Sequence, residues 1–144
     1  MRVMAIDYGS KAIGVAVCDE LHLAARPLTT IRRDKLKRPQ VLERIRALVD
    51  ENEIATLVVG LPLNMDGTHG EAAARVEKFV ADLRQRLSIP IITIDERLTS
   101  YEADRILREM GVSGPERRAR SDEYAAMIIL QDHLDAQSRK KTSE

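Results

Sequence analysis

Met1 to Asp19, MRVMAIDYGSKAIGVAVCD, is the stretch on which the fold turns. Val3, Met4, Ala5 and Ile6 are too few for a helix and too apolar for a surface loop, which predicts a short strand buried on both faces. Asp7 follows at once. An ionised carboxylate where a buried strand emerges must be hydrogen-bonded, paired or metal-bound, because desolvating it alone costs several kcal/mol. Tyr8-Gly9-Ser10-Lys11 then turns the chain and Ile13 to Cys18 runs on as a second strand. The stretch is a hairpin with an acid at its root. On these residues alone, a turn-capping aspartate and a chemically active one fit equally well.

Working outward, Leu23 to Ile31 mixes apolar and Thr residues around Pro27, which confines it to an edge or bulged third strand. Pro39 suits the first turn of a helix to about Asn52, in which Val41, Leu42, Ile45, Leu48 and Val49 recur at helical spacing. Ala55 to Val59 predicts a buried parallel strand ending at Gly60, and Gly60 to Thr68 a loop rich in Pro, Asn and Gly. Thr68 with Glu71 forms a capping-box pattern for a second helix whose buried stripe is Ala73, Val76, Val80, Leu83 and Leu87.

Pro90 to Ile94 is expected as a fifth strand, ending in Asp95-Glu96-Arg97. Thr99 with Glu102 repeats the capping pattern for a third helix, stopped by Gly111. Val112 to Arg120 reads as a loop, and Ser121 as the N-cap of a last helix that is apolar on every face from Tyr124 to Leu130. Gln137 to Glu144 is a polar tail expected to fray, so residues 1–136 form a single domain. Three meandering strands followed by right-handed strand–helix units predict an α/β fold: a five-stranded mixed sheet with helices on both faces.

At 144 residues the chain can bury a full core without staples. The single cysteine, Cys18, permits no internal disulfide and favours a reducing compartment. The N-terminal apolar run is too short for a signal or a membrane span, so the expected location is cytoplasmic, with no membrane partner. Twenty-three basic residues balance twenty-three acidic ones, which argues against a histone-like coat on any polyanion. Distribution says more. Arg32 to Arg46 holds seven basic and two acidic residues, and Arg117, Arg118 and Arg120 form a second cluster. Two basic clusters flanking an acidic site suit a phosphate backbone.

Ligands on such sheets gather beyond the carboxyl ends of the parallel strands. Three acids can meet there: Asp7 after the first strand, Glu96 after the fifth, and Asp122 in the first turn of the last helix. An oxygen-only donor set suits Mg²⁺ or Mn²⁺, and two such ions about 4 Å apart would activate a water and stabilise the leaving oxygen of a phosphodiester. Asp7 is expected to bridge the ions, with Glu96 and Asp122 holding one each. His22, His69 and His133 are scattered, so a zinc site has no support. Lys11, Asn64, Arg97, Arg117, Arg118 and Arg120 are candidates for nucleic-acid contacts. Aromatic content is only 3%, so shape and backbone contacts are expected rather than base stacking.

AIDYGSKAIGVAV, VVGLPLNMDGT, IDERLTSYEA and DEYAAMIILQDHL, in this order and spacing, resemble the YqgF family of Holliday junction resolvase-like proteins in the ribonuclease H-like superfamily. The resemblance spans nearly the whole chain. It implies a ribonuclease H-like fold, divalent-metal phosphodiester hydrolysis and a role in maturing the 5′ end of pre-16S ribosomal RNA. It also implies that the family's three acidic positions fall on Asp7, Glu96 and Asp122. The implied partners are structured RNA or branched DNA and ribosomal precursor particles, with the protein a monomer or homodimer. Ala12 stands where the family usually carries Arg, and Ser121 where it commonly carries an apolar residue. Two other classes remain open. The first turn also resembles the phosphate loop of actin-like and sugar kinase ATPases, which need two such domains, and a non-catalytic nucleic-acid-binding module would share the fold.

Overall fold

The computed structural model describes residues 2–96 and 99–143, without the side chains of residues 99–101, 118 and 141–143. Five strands, β1 (Arg2–Tyr8), β2 (Ala12–Cys18), β3 (Ala25–Arg32), β4 (Ile54–Pro62) and β5 (Ile91–Glu96), form one sheet in the order β3-β2-β1-β4-β5. The β1–β2–β3 meander is antiparallel, and β1, β4 and β5 are parallel. Helices α1 (Arg38–Glu51) and α2 (Glu71–Arg86) pack on one face, where they enclose Met4, Ile6, Val15, Leu57 and Val59 with Val41, Ile45, Phe79 and Leu83. On the other face α4 (Gly114–Ser143) lays Ala126, Ile129 and Leu130 against Val3, Ala5, Ala16 and Val58. This second layer is thinner and built of smaller side chains. Helix α3 (Thr99–Glu109) meets α4 through Ala103, Leu107, Tyr124, Ala125 and Ile128. The all-round apolarity of residues 124–130 follows, since α4 is caught between the sheet and α3.

Pro27 sits on an edge strand, opposite Ala16 at a register shift, where its missing N–H costs nothing. Gly111 closes α3 with φ +78°.

Four boundaries depart from the sequence reading. Strands β1, β4 and β5 all run past their apolar cores, so Asp7 and Glu96 lie inside strands and not after them. β4 extends through Gly60-Leu61-Pro62 because β5 pairs with it to the end, Leu61 with Asp95 and Pro62 with Glu96. Pro62 is tolerated there because β1 pairs with β4 only as far as Ile6 and Val59. The Thr68–Glu71 capping box does not form. The Thr68 amide and hydroxyl both donate to Asp66 Oδ1, at 3.0 and 2.7 Å, and Gly70 becomes the cap of α2.

The largest correction concerns α4, which begins at Gly114 and not at Ser121. Ser113 Oγ accepts the Glu116 N–H at 3.3 Å and Pro115 occupies the first turn, which is Ser-x-x-Glu capping with proline at a position that needs no donor. Arg117 to Arg120 are therefore helical, Ser121 is mid-helix, and Asp122 lies in the third turn. The polar tail from Gln137 continues the helix as far as Ser143.

Candidate active site

Asp7 and Glu96 stand near the carboxyl ends of two strands that have β4 between them, so their carboxylates meet only if β4 offers no side chain at that level. It offers Gly60. A Cβ on Gly60 would stand 2.8 Å from Glu96 Cδ, 2.9 Å from its Oε2 and 2.6 Å from Ile129 Cδ1, so the Glu96 carboxyl lies in the space that any other residue would fill. Side chains alternate along a strand, and Asp7, Gly60 and Glu96 share the α4 face with Val3, Ala5 and Val58.

Asp122 reaches the same place from above. Gly14 on β2 pairs with Asp7, and a Cβ on Gly14 would fall 1.8 Å from the Asp122 carbonyl oxygen, so the α4 backbone rests directly on the strand. A Cβ on Gly9 would stand 3.9 Å from Asp122 Oδ1, which puts that carboxylate beside the β1–β2 turn. Two bonds fix the rotation of α4 over the sheet: Glu123 Oε2 accepts from the Thr30 hydroxyl at 3.3 Å, and Gln131 Oε1 accepts the Ala25 N–H at 3.0 Å.

The three carboxylates line one cleft of about 350 Å³, together with Ser10, Arg33 and Arg75. Burial pushes the Asp7 carboxyl up to about 8, with the charges of Glu96 and then Asp122 adding to the effect and a hydrogen bond between the Asp7 and Glu96 carboxyls holding the proton. Burial likewise raises Asp122, opposed by Arg32 and assisted by Glu123. Acids so crowded require positive charge, and here a proton supplies it. Among the described residues no three of them converge closely enough to hold one ion together. The donors that line the cleft are carboxylate oxygens, the kind of set that Mg²⁺ and Mn²⁺ select.

The nucleic-acid candidates scatter. Lys11 lines a second cleft next to the acids. Asn64 staples its own loop, its amide donating to Thr68 Oγ1 at 2.9 Å, and does not line the acid cleft. Arg117 joins α4 to α3, donating to Asp104 at 3.2 Å and to the Val112 carbonyl at 2.8 Å. Arg120 donates to the Tyr124 hydroxyl at 2.9 Å and lies over its ring. Arg97 and the Arg118 side chain fall outside the described residues. The sequence reading missed Arg75, the clearance that Gly60 gives the Glu96 carboxyl, and the individual role of Arg33. Arg75 had a positional signal, since α2 starts at the carboxyl edge of the sheet and its first exposed basic residue faces the acids.

The family model described as RuvX: Holliday junction resolvase matches residues 1–136. The chain belongs to the RuvX family. Its RuvX relatives include a protein of Roseiflexus sp. (strain RS-1), 48% identical over 94% of the chain and 95% of the relative, and one of Thermoanaerobacter pseudethanolicus, 45% identical over 97% and 100%; both are named "Putative pre-16S rRNA nuclease". Among solved structures, T. thermophilus RuvC in complex with a Holliday junction substrate superposes with a TM-score of 0.59 at 15% identity, covering 96% of each chain. The fowlpox virus resolvase bound to Holliday junction DNA gives 0.58 at 9%, covering 95% of this chain and 99% of that one. The fold is thus ribonuclease H-like. RuvX membership makes this protein a nuclease, a hydrolase of nucleic acid. No helix among its described residues is long and apolar enough to cross a membrane.

Proposed function

We propose that this RuvX protein is a divalent-metal-dependent nuclease in which Asp7, Glu96 and Asp122 hold two Mg²⁺ or Mn²⁺ ions, and that it matures the 5′ end of pre-16S ribosomal RNA. The observation that carries this reading is the meeting of three carboxylates from β1, β5 and α4 in one cleft, where burial and the neighbouring acids raise the Asp7 carboxyl. Bound there, the ions would supply Lewis-acid stabilisation of the phosphoryl oxygens and a nucleophilic water at neutral pH. The remaining work falls to the chain. Asp7 would hold a cation in place of its proton, which would pass to solvent, and Arg33 and Arg75 stand on the cleft wall where charge would build on the phosphate. The name carried by relatives at 41–48% identity supports pre-16S rRNA as the substrate. The family description supports a second reading, resolution of branched DNA.

Purified protein is expected to cut an RNA spanning the 5′ boundary of 16S rRNA with Mg²⁺ or Mn²⁺, to stop in excess EDTA, and to resume when the metal is restored. Faster, paired incision of a four-way DNA junction under the same conditions would transfer the assignment to the second reading. Symmetric incision needs a dimer, so sedimentation of the protein with and without substrate belongs in the same experiment.

Gly60→Ala tests how Glu96 reaches the site. The added methyl meets only side-chain tips, which can yield, so thermal stability changes little. The Glu96 carboxyl has to leave its place, and cleavage is expected to fall about 100-fold, the usual consequence of displacing a reacting group by about 1 Å. Full activity in Gly60→Ala would remove Glu96 from the ligand set.

A further inference from the structure

Beside the acid cleft lies a second recess of about 170 Å³, lined by Ser10, Lys11, Arg33, Asp34 and Arg38 over a floor that includes Tyr8 and Phe79. Tyr8, Ser10 and Arg33 line both clefts and form the wall between them. Arg33 is held in place without being neutralised. Its Nη1 donates to the Gly9 and Ser10 carbonyls, its Cζ lies 4.2 Å from the centre of the Tyr8 ring, and among the described residues it has no carboxylate partner. Arg38, by contrast, is matched by Asp82 at 2.7 Å, and the Asp34 carboxylate is taken by Arg32. The recess therefore presents the unmatched charges of Arg33 and Lys11, which an anion of one or two charges would complete.

The aromatic ring is not there to stack a base. One face of Tyr8 is covered by Arg33, its ring centre lies 4.4 Å from that of Phe79, and its hydroxyl accepts from Arg38 Nη1 at 3.5 Å. What the recess can grip is backbone, and sequence does not enter. We propose that it seats the phosphodiester next to the scissile one on the same strand, with Arg33 in the shared wall fixing how far the strand slides. This rests on the nuclease reading of the acid cleft.

The test uses RNA in which one diester at a time is replaced by an uncharged methylphosphonate, with affinity read by fluorescence anisotropy on the Asp7→Asn protein, so that binding is measured apart from cutting. One position, adjacent to the bond cut by the wild type, is expected to lose about tenfold in affinity, the worth of one charge-assisted contact. In Arg33→Gln the same replacement should cost nothing further. Arg33 also braces the β1–β2 turn, so Lys11→Gln is the second variant. The Lys11 side chain is exposed, makes no hydrogen bond among the described residues, and should show a smaller loss at the same position. RNAs with 5′-phosphate and 5′-hydroxyl ends should bind alike. A scan with no position sensitive to Arg33 overturns the proposal, as does sensitivity confined to the 5′-terminal phosphate. If the wild type cuts no nucleic acid while one internal diester still depends on Arg33, the nuclease reading falls and the phosphate site stands.

Discussion

Asp7→Asn is expected to abolish cleavage and, in EDTA at alkaline pH, to make the protein more stable than the wild type. The first effect follows from the central place of Asp7 among the acids. Losing the proposed shared ligand is expected to forfeit several kcal/mol of charge stabilisation, about a thousandfold or more in rate. The second follows from its titration. The folded-state value near 8 lies above the ordinary carboxylate value of 3.8, so the folded protein keeps a proton that the unfolded chain has already lost. That contribution is complete below about pH 4 and is lost as the pH rises through 8. Asparagine cannot ionise and escapes the loss.

Melting curves in EDTA at pH 5 and pH 9 check this directly. The wild type should lose several degrees more than Asp7→Asn across the interval, at about 3 °C for each kcal/mol in a domain of this size. Mg²⁺ should restore the wild type at pH 9 and leave the variant unmoved. Parallel melting curves for the two proteins would mean that burial and the neighbouring acids do not raise Asp7.

Gly14→Ala is expected to be the most damaging small substitution in the molecule. Its methyl would lie 1.8 Å from the Asp122 carbonyl oxygen, 2.1 Å from the Asp122 carbonyl carbon and 2.7 Å from the Glu123 nitrogen, all main-chain atoms of α4. The helix cannot retreat freely, because its far side is packed on α3 through Ala125 and Ile128. Overpacking usually costs about 1–3 kcal/mol, and a clash with rigid backbone belongs at or above the top of that range. A fall in Tm of about 10 °C is expected, with lost metal affinity because Asp122 travels with the helix. Calorimetry and Mn²⁺ titration measure the two. A Gly14→Ala protein with native Tm would mean that α4 does not sit on β2 as described.

Much of this was legible in the sequence because it is local. Apolar runs of four to six residues mark β1, β2, β4 and β5, and the acids that follow them announce themselves by contrast with what precedes. What escaped depends on register between distant segments. Gly60 is an unremarkable residue until Ile94 is set beside it and Glu96 is carried over it, a consequence of β4–β5 pairing that no window of sequence contains. Arg117 read as a phosphate ligand because its neighbours are basic, and only the packing of α3 on α4 reveals Asp104. The misplaced start of α4 is a different kind of error. Gly and Pro at 114 and 115 make residues 112–120 read as a loop, although Ser113 and Glu116 carry the same capping pattern as Thr99 and Glu102.

The inequality of the two layers flanking the sheet has its own consequence. Phe79, Leu57 and Ile45 interlock on the α1–α2 side, whereas the sheet meets α4 through the smaller Val3, Ala5, Ala16, Val58 and Gly14. Amide protons of β1 and β4 should therefore exchange only through global unfolding, while those of the opening turns of α4 exchange by smaller excursions that leave the sheet intact. Local opening of those turns would uncover the acids while the floor beneath them stays folded.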